Sequence, residues 1–252
     1  LYYTMKEHID YVIEYLKKQP IKGCITGSCL LGYFENQDVD LFVYDEKSFT
    51  KILFNLYYNN NFLILDPLEK WKLDQYLNKE HGKASFGITT IKFVYNTCIP
   101  VNVIFKKGCI NAFSVLASFD MDIICKAYDI ETRQYLDLSE NLPNKQATWN
   151  KWNTNFYDPE LWQIGRILRQ LERVIKYHKR GYNTDAVCIK YIELIDEVQK
   201  FQNIFNSNNF SEKLAIRKNN TKIVKQICEV WLKTHEISDE QLELLKEKIK
   251  EI

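Results

Sequence analysis

A chain of 252 residues, 46% apolar and 27% charged, can bury one large core or two small ones, and such a composition excludes a disordered or fibrous protein. The formal charge of +1 provides no bulk attraction to polyanions, so any nucleic-acid contact must come from local clusters of lysine and arginine. Seven scattered cysteines, odd in number and without a Cys-x-x-Cys pair, argue against a zinc site or a disulfide framework and for a reducing compartment.

Residues 3–18 carry Ile9, Val12, Ile13 and Leu16 at helical spacing, and Pro20 ends the pattern. The period then changes. Lys22–Thr26 and Asp38–Tyr44 read as short strands, with a turn and a brief helix across Gly27–Asn36. Ser48–Tyr58 is helical again, Phe62–Asp66 extended, and Pro67–Asn78 helical from a proline in its first turn. Gly87–Tyr95 and Ile99–Phe105 are rich in β-branched and aromatic residues and close enough to pair antiparallel. Ile110–Ser118 predicts a short helix, and Phe119–Tyr128 and Arg133–Leu138 predict two more extended pieces.

Ser139–Pro159 shows no clear period and predicts a boundary. Its aromatics Trp149, Trp152, Phe156 and Tyr157, with Trp162 just beyond, suit domain packing or base stacking. Five helices are expected after it: Glu160–Lys179, Thr184–Asn206, Ser211–Arg217, Thr221–Thr234 and Asp239–Ile252. The expected organisation is therefore α+β over residues 1–140, a linker or interface over 141–159, and an all-α domain over 160–252. No stretch approaches the roughly 18 apolar residues of a membrane span, and the first residues lack a signal-peptide layout. The expectation is a cytoplasmic protein with no membrane partner; the oligomeric state is not legible.

The segment richest in chemistry is Cys24-Ile-Thr-Gly-Ser-Cys-Leu-Leu-Gly-Tyr-Phe-Glu-Asn-Gln-Asp-Val-Asp-Leu-Phe-Val43, in which Gly27-Ser28 precedes Asp38-x-Asp40 by nine residues. Carboxylates two apart on a strand share a face and can grip a divalent cation. A glycine followed by a hydroxyl at a strand end lets the backbone approach phosphate oxygens. These are parts of a metal-assisted phosphoryl or nucleotidyl transfer. The bland alternative is a turn followed by a charged strand edge that discourages aggregation.

In type and spacing these residues resemble the nucleotidyltransferases of the DNA polymerase beta superfamily. That resemblance, which covers about residues 20–140, implies a mixed or antiparallel sheet flanked by helices. It also implies that Gly27 and Ser28 contact a nucleoside triphosphate such as ATP, that Asp38 and Asp40 hold Mg2+ or Mn2+, and that a nucleoside monophosphate passes to a hydroxyl of RNA, a nucleotide, a small molecule or a protein. The family places a third carboxylate on a later apolar strand; the matching strand is Ile99-Pro-Val-Asn-Val-Ile-Phe105 and the matching position is Asn102. An amide carries no charge and cannot act as a base. Three explanations stay open: an engineered inactivation, a natural loss of activity that leaves a module binding nucleotide or nucleic acid, or transfer of the role to Asp120 or Asp122.

The helix over 160–179 presents Arg166, Arg169, Arg173, Lys176 and, just past its end, Arg180 within an arc of about 80°, opposite Ile164, Leu168, Leu171 and Ile175. This stripe is either a solvated face or a row of phosphate contacts, with Arg166, Arg169 and Arg173 as candidate nucleotide contacts. His8, His81, His178 and His235 have no partners at metal-ligand or triad spacing and are expected at the surface.

Overall fold

The computed structural model describes residues 4–35, 37–77, 88–153, 164–205 and 212–250. In chain order these form α1 (Met5–Lys17), β1 (Gly23–Thr26), β2 (Val39–Val43), α2 (Glu46–Tyr57), β3 (Phe62–Leu63), α3 (Pro67–Leu77), β4 (Ile88–Tyr95), β5 (Ile99–Lys106), α4 (Ala112–Leu116), β6 (Lys126–Asp129) and β7 (Gln134–Asp137), then α5 (Ile164–Lys179), α6 (Asp185–Phe205), α7 (Glu212–Thr234) and α8 (Asp239–Lys250). The chain divides into two compact units, one of Leu1–Phe119 with Ile123–Ser139, the other of Asp120–Asp122 with Glu140–Ile252.

The first unit is built on a seven-stranded mixed sheet in the order β3-β4-β5-β2-β1-β6-β7. Only β2 and β5 run parallel; every other neighbouring pair is antiparallel. Strand alternation gives the sheet two different faces. One carries Ile25, Val39, Leu41, Val43, Ile91, Phe93, Val101 and Val103, which are buried against Ile9, Val12, Ile13 and Leu16 of α1 and Phe49, Ile52, Leu53 and Leu56 of α2. At about 1.5–3 kcal/mol for each fully buried side chain of this size, that layer is the main driving force for the unit.

The other face carries Cys24, Phe42 and Ala127, covered by Ala112, Val115 and Leu116 of α4. Asp40, near the start of β2, and Asn102, midway along β5, alternate onto this second face. Local signals set the helix starts. Thr4 and Glu7 form a reciprocal cap on α1, and Asp45 accepts from the Ser48 amide at 2.6 Å to open α2.

In the second unit α5 to α8 bury Leu171, Val174 and Ile175, then Val187, Tyr191 and Ile195, then Val224, Cys228 and Trp231, and finally Leu245. Three expectations need correction. Phe119–Cys125 is not a strand: it contains an isolated bridge between Met121 and Trp149 and a short 3-10 turn at Asp122–Ile124. The extended stretch expected over Phe62–Asp66 shrinks to Phe62–Leu63. Ser211–Arg217 and Thr221–Thr234 are not separate helices, since α7 runs unbroken through Asn219 and Asn220. The weak propensity of asparagine, below about 0.7 kcal/mol per residue, is overridden there by burial of Asn220 and Thr221.

Of the histidines expected at the surface, His235 is exposed, whereas His8 and His178 are half-buried. His8 packs edge-on to Tyr95, and His178 stacks on His235 with both edge-on to Trp231; His81 lies outside the described residues. Among the described residues no helix is long and apolar enough to cross a membrane.

Candidate functional site

The end of β1 turns sharply at Gly27, whose φ of 91° and ψ of −159° lie in a region essentially reserved for glycine. A Cβ built on Gly27 would stand 2.8 Å from Oδ2 of Asp40, so the position is constrained by space as well as by backbone angle. Ser28 follows, buried, as the first residue of a 3-10 turn over Ser28–Leu30. The Leu30 amide donates to the Gly27 carbonyl at 3.2 Å and the Leu31 amide to the Ser28 carbonyl at 3.0 Å, which fixes the turn.

The chain returns through a loop held by Gln37. Its Nε2 donates to the Gly32 carbonyl at 2.8 Å while its Oε1 accepts from the Phe34 amide at 3.4 Å. This buried glutamine escaped the sequence analysis, because nothing in its neighbours distinguishes a loop brace from a solvated side chain. Asp38 directly precedes β2 and Asp40 is its second residue.

Across the parallel β2–β5 pairing, Asp40 lies in register with Asn102. The Asn102 amide donates through Nδ2 to Oδ1 of Asp40 at 2.8 Å and to Oδ2 of Asp38 at 3.1 Å. Carboxylates only accept, so the NH2 end of the amide faces them. Asp38, Asp40 and Asn102, distant in sequence, thus converge on one half-buried spot next to Gly27 and Ser28.

Cys29 lies beneath this cluster with its thiol donating to the Thr26 carbonyl at 3.4 Å. Burial, and next the Asp40 carboxylate, push that thiol up to about 12, so it remains neutral at physiological pH. Cys24, deeper on β1, is raised to about 12 chiefly by burial.

The remaining predicted residues lie in the second unit. Asp120 is buried and accepts from the Tyr191 hydroxyl and, at 3.2 Å, from Nη1 of Arg173. Asp122 is buried too, accepting from the Thr148 amide at 2.7 Å and the Glu140 amide at 3.3 Å. Both aspartates thus tie together segments of their own unit. Arg173 also donates to Gln170 Oε1 at 2.5 Å, so its guanidinium is engaged within its unit. Arg166 and Arg169 lie on α5, but their side chains are outside what the structure describes; Phe156, Tyr157 and Trp162 lie outside the described residues altogether.

Two carboxylates at the end of one strand offer the hard oxygen ligands that Mg2+ favours, and Mg2+ is commonly held by one or two carboxylates together with substrate phosphates. Asp38 and Asp40 fit that need; the Asn102 nitrogen, as oriented, does not contribute a ligand. Among the described residues no group of three or more His, Cys, Asp or Glu is arranged to hold a metal. A scan against protein-family models finds no match for this chain, and neither does a search of curated proteins.

Proposed function

We propose that the first unit is a nucleotidyltransferase of the DNA polymerase beta type, transferring a nucleoside monophosphate from a triphosphate to a hydroxyl. The observation that carries this is the meeting of Asp38, Asp40 and Asn102 beside the Gly27-Ser28 turn, the positions the sequence motif names in advance. Asp38 and Asp40 would hold Mg2+ or Mn2+, which when bound neutralises phosphate charge and that of the departing pyrophosphate. Gly27 leaves room for the main chain to approach the donor phosphates, and Ser28 contributes a hydroxyl at the start of the next turn. The acceptor oxygen attacks the α-phosphorus, its new P–O bond replaces the bond to pyrophosphate, and its proton leaves to solvent or to a base other than Asn102.

A second reading has its own support. The Asn102 amide supplies two donors where the family supplies a negative charge, and it satisfies both aspartates by hydrogen bonds. A module that binds nucleotide without turning it over fits that arrangement.

Incubation with each labelled triphosphate and Mg2+, for the natural chain and for Asn102→Asp, separates the two. Label transfer by the natural chain supports an active enzyme, and transfer only by the variant supports a binding module one charge short of catalysis. Nucleotide binding that is unchanged by both Asp38→Ala and Ser28→Ala refutes the placement of the site.

A further inference from the structure

The pairing registers align four side chains in one row across the second face of the sheet: Thr26 opposite Asp40, Asp40 beside Asn102, and Asn102 opposite Lys92. Cross-strand partners share a face, with Cβ atoms about 5 Å apart. Exposure rises along the row, from buried Thr26 through half-buried Asp40 and Asn102 to exposed Lys92. The main chain at Lys92 is anchored, its amide donating to Glu69 Oε2 at 2.9 Å, and that glutamate also bonds Lys72. No ion pair engages the Lys92 ammonium among the described residues.

We infer that Lys92 binds a phosphate of the acceptor, so that the substrate receiving the nucleotidyl group is itself a phosphate-bearing molecule with a hydroxyl, rather than a neutral small molecule or a protein side chain. The inference rests on the nucleotidyltransferase reading of Asp38 and Asp40. The order of the row supplies the argument. Gly27 and Ser28 stand at the β1 side of the carboxylates, where that reading puts the donor triphosphate. The opposite, β4 side is left for the acceptor.

Lys92 lies there, two strand spacings or about 10 Å from Asp40. A lysine is a compact point charge on a flexible four-carbon stem, suited to a phosphate that need not be held bidentately. The reacting hydroxyl would sit over Asn102 and the neighbouring phosphate over Lys92. A mononucleotide and the end of an RNA strand present the same phosphate-and-ribose chemistry.

The test is direct binding to the full chain, with Mg2+, of three probes: a ribonucleoside monophosphate, a short labelled oligoribonucleotide, and the corresponding nucleoside. Lys92→Ala, Lys92→Arg, Asp38→Ala and, as a control lysine on α2, Lys47→Ala are compared. Lys92→Ala is expected to weaken the monophosphate, the oligomer or both by about 10- to 100-fold, with Lys92→Arg recovering most of the loss. The nucleoside, and a triphosphate with Mg2+, should stay within about threefold of the natural chain. Loss for the monophosphate alone selects a free nucleotide as acceptor, and loss for the oligomer alone selects an RNA end.

Equal effects of Lys92→Ala and Lys47→Ala overturn the assignment, as does failure of the natural chain to bind either phosphate-bearing probe. If Lys92→Ala weakens the triphosphate as much as the acceptors, the lysine belongs to the donor site and the inference is wrong. Triphosphate binding that survives in Asp38→Ala strikes instead at the nucleotidyltransferase reading, whatever Lys92 does.

Discussion

Replacing Gly27 by alanine loads two separable costs onto the site. The first is conformational, since φ of 91° with ψ of −159° is a region that side-chain-bearing residues enter at about 1–3 kcal/mol. The second is steric, because the new Cβ would lie 2.8 Å from Oδ2 of Asp40, so the carboxylate or the turn must shift. Gly108 is an internal control: its φ is also positive at +90°, but a Cβ there meets nothing within 4 Å. Gly108→Ala should therefore show the conformational cost alone.

A total of about 3 kcal/mol for Gly27→Ala, at about 3 °C per kcal/mol for a unit of this size, lowers its melting temperature by about 9 °C. Gly108→Ala should lose about half of that. Thermal unfolding followed by circular dichroism measures both. Nucleotide titration in the presence of Mg2+ then distinguishes them, because only Gly27→Ala displaces Asp40 and only it should weaken binding. If the two variants melt alike and bind alike, the close approach of Gly27 to Asp40 has no energetic weight and the reasoning fails.

Other consequences can be measured in parallel. Asp120→Ala removes a buried carboxylate and with it the acceptor of the Tyr191 hydroxyl and the charge facing Arg173, so the second unit should lose about 3 kcal/mol in urea unfolding; a loss below about 1 kcal/mol would show the pair to be incidental. Cys24 and Cys29, ordinarily 9.0 and raised to about 12 by burial, favour folding through a neutral form that the unfolded chain gives up first. Their contribution is fully present below pH 9 and is lost as pH climbs from about 9 to 12, so the urea midpoint should fall over that window and fall less in Cys29→Ala. An unchanged slope in that variant would exclude Cys29 as a contributor. Both thiols should also resist alkylation at pH 8 in the folded chain and react once it is unfolded.

Much of the molecule was legible before the structure. The α1 apolar stripe, the proline that stops it, the alternation of β4 and β5 and the succession of C-terminal helices are local patterns, and they yielded most elements within a few residues. Residue type and spacing named Gly27, Ser28, Asp38 and Asp40, the family resemblance added Asn102, and the structure brings these positions together. Errors fell where a distant partner outweighed a local signal. Buried Asn220 and Thr221 carry α7 through a stretch that reads as a break, and Phe119–Cys125 looks extended but has Asp120 and Asp122 drawn off to other partners.

Taken alone, the sequence determined which side chains exist at which period, and therefore which strand face each would occupy and where a cation-binding pair of carboxylates could lie. It could not determine register. Register is decided by which apolar faces bury one another across the sheet, and a one-residue slip of β5 would turn Asn102 away from Asp40 altogether. Only the tertiary structure set the Asn102 amide between Asp38 and Asp40, pressed Gly27 against the Asp40 carboxylate, and added Lys92 to the end of the same row. The physical reason is that residues some sixty positions apart are brought together by the burial of their strands' opposite faces, which short-range sequence patterns do not encode.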